Sequence, residues 1–227
     1  MRLSIATVVL ALLLGSHGSN AADLRVFDFA DDSLNKSPAG FVCDRTGGGR
    51  QGRWQVIRDD RDGVQRNVLA QLDADAVGSR FPLCVRADVS AQDVDLSVAF
   101  KPISGSQDQA AGLVWRYADA ANYYIVRANA LEDNVVLYKV QNGRRIDLPL
   151  LGKGKTYGAK APVPRNKWST LRVVVIGNRF SVHLNGAELY SVEDATFRGA
   201  GYVGVWTKAD SVTHFSDFRV TSNPGSK

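Results

Sequence analysis

An all-β fold, built as a sandwich of two antiparallel sheets, is predicted by three observations. Short runs rich in Val, Ile, Phe, Tyr and Trp recur along almost the whole chain and are bounded by Gly, Asn and Asp. Three dipeptides that accept positive φ, Asn142-Gly143, Gly177-Asn178 and Asn185-Gly186, mark tight hairpins with type I′ turns. No long segment repeats apolar residues at helical spacing, and strands without intervening helices pack as sandwiches rather than as α/β layers.

The elements follow in order. Residues 1–22 read as a secretion signal: Arg2 supplies charge, Ile5–Leu14 an apolar stretch, and Ser19-Asn20-Ala21 or Asn20-Ala21-Ala22 a small-residue cleavage site. That stretch falls short of the about 20 apolar residues a bilayer crossing needs, so no transmembrane segment is expected. Strands are then predicted at Leu24–Phe29, Trp54–Ile57, Val68–Gln71, Val94–Lys101, Ala111–Tyr117, Tyr123–Ala130 and Val135–Val140. They continue at Leu171–Ile176, Arg179–Leu184, Leu189–Val192, Gly201–Thr207 and Phe215–Thr221. Val77–Arg80 and Asp194–Arg198 each read as one helical turn at most, and the Gly-, Lys- and Pro-rich run Gly152–Pro164 as a long surface loop. Residues 23–222 suit one large β domain, with a disordered tail over 223–227.

The export signal sets the chemistry of the cysteines. Cys43 and Cys84 are the only two in the chain, and in an exported protein an isolated pair is expected to bond. On the chain-entropy model that bridge stabilises by on the order of 4 kcal/mol. No CxxC repeat or Cys/His cluster offers a structural zinc site. Lys and Arg number 28 against 23 Asp and Glu, a formal charge of +5, but the basic residues are scattered rather than blocked. This describes a soluble surface with a mild basic bias, open to acidic glycans or envelope phosphates. Nucleic acid is not an expected partner of an exported chain, and a monomer is expected.

The run Gly112–Asn134 carries the clearest functional pattern. A hairpin closing around Ala118–Ala121 puts Leu113, Trp115, Tyr124, Val126 and Ala128 on one face, by the period of two in a strand. The other face collects Val114, Arg116, Tyr123, Ile125, Arg127 and Asn129. Aromatic rings beside guanidinium and amide groups suit a sugar, which presents an apolar ring face and a rim of hydroxyls. Arg116, Tyr123, Arg127 and Asn129 are therefore candidate ligand residues, with Tyr138 extending the surface and Trp206 a candidate stacking partner. Trp54, Trp115 and Trp168 are assigned to the core.

Other groups read more plainly. Glu132, Asp133 and Asn134 combine acceptor chemistry with turn-forming residue types. Asp93 and Asp95 lie about 6.6 Å apart along a strand, a spacing open to acid/base work but equally that of a solvent-facing strand. Asp59-Asp60-Arg61-Asp62-Gly63 reads as a turn, and His214 as a lone histidine. No Gly-x-Ser-x-Gly turn supports serine-hydrolase chemistry.

Trp54-Gln-Val-Ile, Asp95-Leu-Ser-Val-Ala-Phe-Lys101, Gly112-Leu-Val-Trp-Arg-Tyr, Asn122-Tyr-Tyr, Trp168-x-x-Leu171-Arg-Val and Gly201-Tyr-Val-Gly-Val-Trp206 together resemble the secreted bacterial concanavalin A-like sandwiches. Within that superfamily the chain is most similar to 3-keto-disaccharide hydrolase-like domains, a family sixteen glycoside hydrolase-like group. The resemblance implies a jelly roll, and either glycan binding or glycoside hydrolysis. It also implies a structural calcium held through an aspartate on the last strand, a position that Asp217 matches in type. The Glu-x-Asp-x-Glu triplet of laminarinase-type members is absent. The expected function is accordingly that of an exported, lectin-like carbohydrate-binding sandwich. A glycoside hydrolase and a non-catalytic envelope interaction module are the alternatives.

Overall fold

The computed structural model describes residues 23–222; the stretch expected to be a signal, 1–22, and the expected tail, 223–227, lie outside the described residues. The strands are β1 (Asp23–Phe27), β2 (Phe41–Gly47), β3 (Trp54–Arg61), β4 (Val64–Gln71), β5 (Arg80–Ala91), β6 (Val94–Ser104), β7 (Ala110–Asp119) and β8 (Asn122–Asn129). They continue as β9 (Asn134–Gln141), β10 (Arg144–Asp147), β11 (Ala159–Lys160), β12 (Ser169–Ile176), β13 (Arg179–Leu184), β14 (Ala187–Glu193), β15 (Gly201–Trp206) and β16 (Val212–Ser222). Two curled antiparallel sheets form the sandwich. The first has the order β14-β13-β12-β6-β16-β4-β3, with β1 also on β16; the second has β10-β9-β8-β7-β15-β5-β2, with β11 also on β9.

Alternation explains which side chains meet between the sheets. Trp54, Phe100, Leu113, Trp115, Tyr124, Val126, Phe180, Phe215 and Phe218 all belong to the inter-sheet core. Trp115 stacks on Tyr124 at 5.5 Å and meets the edge of Phe180 at 5.4 Å, the offset geometry that aromatic quadrupoles favour. Trp168 is not among them. It lies half-buried outside the first sheet, its indole N–H donating to Asp60 O at 2.9 Å, with Lys101 5.1 Å from the ring centre.

The marked hairpins form where their residues allow. Asn142 and Gly143 join β9 to β10, and Asn185 and Gly186 join β13 to β14, both pairs at positive φ. Between β12 and β13 only Gly177 has positive φ, so this turn is of the II′ kind rather than I′. Neither expected turn becomes a helix. Val77–Arg80 closes a single hydrogen-bonded turn, Arg80 N to Val77 O at 3.0 Å, that runs into β5, and Asp194 folds its carboxylate onto Thr196 N at 2.8 Å instead of starting a helix. Cys43 and Cys84 are joined by a disulfide across β2 and β5, where they are directly opposed.

A second apolar cluster lies on the outer side of the second sheet. Phe81, Leu83, Val85, Ala110, Val114, Tyr117, Tyr123, Ile125, Val136, Tyr138, Val140 and Trp206 are all buried there. This face, fed by the alternate residues of the strands that line the core, is where the site is built. Among the described residues no helix is long and apolar enough to cross a membrane.

Candidate functional site

The outer face of the second sheet is floored by rings. Trp206 at the end of β15 stacks on Phe81 of β5 at 5.4 Å and 17°, and its indole N–H donates to the Tyr123 hydroxyl at 3.3 Å. Tyr123 shares a hydrogen bond of 2.7 Å with Thr46 on the edge strand β2, and burial pushes its phenol up to about 12. Above this floor lies Arg145, two residues past the Asn142-Gly143 turn. Its guanidinium is 4.5 Å from the Tyr138 ring, 4.7 Å from Phe81 and 6.0 Å from Trp206. Arg145 Nη1 is buried without a hydrogen-bond partner among the described residues.

Beside the rings lies a polar network. Arg127 on β8 donates to both oxygens of Glu132 and, at 2.8 Å, to Asn134 Oδ1. Asn129 Nδ2 donates to Asp108 Oδ1 at 2.8 Å and to Glu132 Oε1 at 3.0 Å, so one amide draws two carboxylates together. Lys208 neutralises Asp108 at 2.7 Å. Partial burial pushes the Glu132 carboxyl upwards, but the hydrogen bonds and charge of Arg127 outweigh it and hold the group below its ordinary range.

This geometry corrects several expectations. Arg116 does not share the face with Arg127. The β7–β8 pairing shifts register after Trp115, Arg116 takes φ 48°, and the side chain turns to the inter-sheet side. There it donates to Gln92 O at 3.0 Å, Phe197 O at 2.7 Å and Gly177 O at 2.5 Å, 5.6 Å from the core ring of Phe180. The bulge breaks the period of two on which the prediction rested. Tyr123, Arg127, Asn129, Tyr138 and Trp206 do come together, but none is more than 2% exposed. They form the floor rather than the accessible surface.

What solvent reaches is the rim, where the sequence pointed to the acceptor Glu132 but not to Tyr157. Tyr157, from the Gly152–Pro164 loop, is 46% exposed and accepts a hydrogen bond from Tyr138 at 3.0 Å, with Arg127 5.8 Å from its ring. The Glu132 side chain is 33% exposed. The loop expected to be mere surface thus lies against the site. Gly158 explains how, since any Cβ there would meet the Val135 carbonyl and the Val136 backbone.

The remaining candidates have other partners. Asp93 accepts from Gly177 N at 2.9 Å, and Asp95 from Arg172 at 2.6 and 2.8 Å, so the two aspartates do not act as a pair. Asp62 and Gly63 form the predicted turn, both at positive φ. Asp217, the candidate calcium ligand, is paired with Arg61, a cation that already occupies the carboxylate. No group of three or more His, Cys, Asp or Glu side chains among the described residues is arranged to hold a metal ion. His214 is not alone: Nδ1 meets Asp59 at 2.6 Å on the outer face of the first sheet, and Asp59 also accepts from Lys101 at 2.6 Å.

No protein-family model matches the chain, and no curated protein does. Solved structures share its fold. A carbohydrate-binding module, CBM66 from Bacillus subtilis, is 22% identical over 74% of this chain and 95% of its own, with a TM-score of 0.54. Domain 4 of AbnA, a GH43 extracellular arabinanase from Geobacillus stearothermophilus in complex with arabinotriose, is 16% identical over 89% of this chain and 93% of its own, at 0.55. A Bacillus subtilis protein of unknown function with a galectin-like fold is 10% identical over 87% and 98%, at 0.52. These similarities establish the jelly-roll sandwich of two antiparallel sheets as the fold of this chain.

Proposed function

We propose that this is an exported carbohydrate-binding protein that takes its ligand on the outer face of the second sheet. The observation that carries the reading is the half-exposed Tyr157 ring, set beside the partly open Glu132 carboxylate and backed by the Arg145–Tyr138–Trp206–Phe81 stack. A sugar ring lies against Tyr157, Glu132 accepts its hydroxyls, and the buried network keeps both groups in place. Sites of this kind combine aromatic surface with a few fixed polar groups. The carbohydrate-binding module and the arabinanase domain, whose sandwich this chain shares, support the class of ligand. The signal pattern of residues 1–22 and the disulfide support export.

Hydrolysis is the second reading, because Asp108 and Glu132 converge on Asn129. A glycosidase of either stereochemistry needs one carboxyl group that keeps its proton near working pH. Glu132 is held the other way, below its ordinary range, and Asp108 is tied to Lys208. Binding is therefore the better fit to the electrostatics.

A glycan array with parallel product analysis tests both readings. Binding without turnover, lost in Tyr157→Ala at an unchanged melting temperature, is the expected result. Release of reducing sugar, or binding indifferent to Tyr157→Ala and Arg145→Ala, overturns it.

A further inference from the structure

A different feature lies in the first sheet, where β16 changes neighbours. Thr213–Phe215 pair with β4 and Phe218–Ser222 with β1, and between them Asp217 takes φ 49° as the pairing with β6 slips register. The split between β4 and β1 opens a cleft of about 190 Å³, lined among others by Asp28, Arg58, Gln65, Arg66, Asn67 and Asp217. It is smaller than the roughly 300 Å³ at which drug-sized pockets begin, and so fits a single ring rather than an oligomer.

Asn67 states what the cleft lacks. The residue is 7% exposed, and its Nδ2 donates to the carbonyls of Phe29, Ala30 and Asp32, each at 3.1 Å. Three acceptors on one side fix the amide orientation, because Oδ1 cannot face them. Oδ1 is consequently buried with no partner among the described residues, a costly state for an acceptor. An occupant that donates a hydroxyl completes it.

The charges select the sign of that occupant. Arg58 and Arg66 are exposed and have no ion-pair partner among the described residues, while Asp217 is already neutralised by Arg61. Asp28 accepts from its neighbour Ala30 N at 3.1 Å. With Asp217 taken up by Arg61 from outside the lining, Arg58 and Arg66 face Asp28 alone, two cations against one carboxylate, which favours an anion over a divalent cation. We infer that this cleft binds a small hydroxylated anion of single-sugar size. Arg58 and Arg66 hold its carboxylate or phosphate, and Asn67 Oδ1 accepts one of its hydroxyls.

Titration calorimetry of the purified protein with D-glucuronate, glucose 6-phosphate, D-glucose and calcium chloride tests the site. At least one anion should bind, glucose at least tenfold more weakly, and the tighter of the two anions identifies its source. The double variant Arg58→Gln/Arg66→Gln should lose at least tenfold in affinity at an unchanged melting temperature, whereas Tyr157→Ala should bind the anion as the parent does. Asn67→Asp should also weaken binding; should it fail to fold, the arginine variants still decide. Silence from both anions, glucose binding equally well, calcium binding in their place, or affinity unaffected by the double variant overturns the inference. Loss of anion binding in Tyr157→Ala overturns it too, by moving the ligand to the other sheet.

Discussion

Arg127 and Glu132 form a two-point pair, Nη1 to Oε1 at 3.1 Å and Nη2 to Oε2 at 2.8 Å, in which the guanidinium is wholly buried and the carboxylate one-third exposed. Removing the acid strands a buried cation, which typically costs 3–5 kcal/mol. Asn134 Oδ1 still accepts from Arg127, so Glu132→Ala is expected near the lower end, about 3 kcal/mol. In a domain of this size that is a fall of roughly 6–12 °C in melting temperature, checked by calorimetry.

The same pair makes stability depend on acid. The folded value for Glu132 lies below its ordinary 4.5, so the unfolded chain binds the proton first. The contribution is complete above about pH 4.5 and is lost as pH falls through the lower, folded value. A melting series from pH 6 to pH 2.5 should therefore show a shallower acid limb in Glu132→Gln than in the parent. Parallel limbs would rule out this linkage.

His214 titrates in a higher window. Burial pushes its pKa below the ordinary 6.5 and Lys101 adds to this; the neighbouring Asp59 carboxylate opposes but does not outweigh them. A base depressed in the folded state is charged more readily when unfolded. Stability therefore falls as pH drops below about 6.5, until the folded value is reached. Between pH 7 and pH 5 the parent should lose melting temperature that His214→Gln retains.

Edge strand β2 depends on the disulfide. Cys43 faces Cys84 across β2 and β5, and among the described residues β5 is the only strand that β2 pairs with. The separation of 41 residues corresponds to about 4 kcal/mol of denatured-state entropy. Cys43→Ser/Cys84→Ser should lose stability of that order, with amide protection lost first over Phe41–Gly47 in hydrogen exchange. Tyr123 should respond as well, since β2 supplies Thr46 to its hydroxyl.

Gly204 sits where β15 passes β5, and a Cβ there would run into the Cys84 carbonyl and Val85 Cα. Both strands are fixed by pairing, so neither can yield cheaply. Gly204→Ala is expected to cost several kcal/mol, on the order of an overpacked core substitution, seen as insoluble expression or a strongly lowered denaturation midpoint.

Particular residues show how far the sequence could be read. Strands with clean alternation, such as Val94–Lys101 and Arg179–Leu184, were legible because one side chain in two is buried. β5 was hidden: Arg80–Val85 is buried on both faces, so no alternation survives, and Pro82 interrupts the pattern. β2, β10 and β11 were also missed; the last two are short. The inward and outward sets of β7 and β8 were right up to Trp115 and failed at Arg116, because a bulge carries no compositional mark when the residue at positive φ is not glycine. Arg145 and Tyr157 were overlooked because they come from an edge strand and a loop whose folding back over the sheet is a tertiary event. Their only local hints were the Asn142-Gly143 turn and the glycines around Tyr157.

Arg116 has a mechanical consequence. Its guanidinium grips the turn between β12 and β13 in the first sheet, the connection from β5 to β6 that passes between layers, and the approach to β15 in the second. One side chain thus acts as a rivet through both leaves at a single end of the molecule. Under load the leaves cannot slide past each other while it holds, and they must part as a book does, from the margin farthest from its spine.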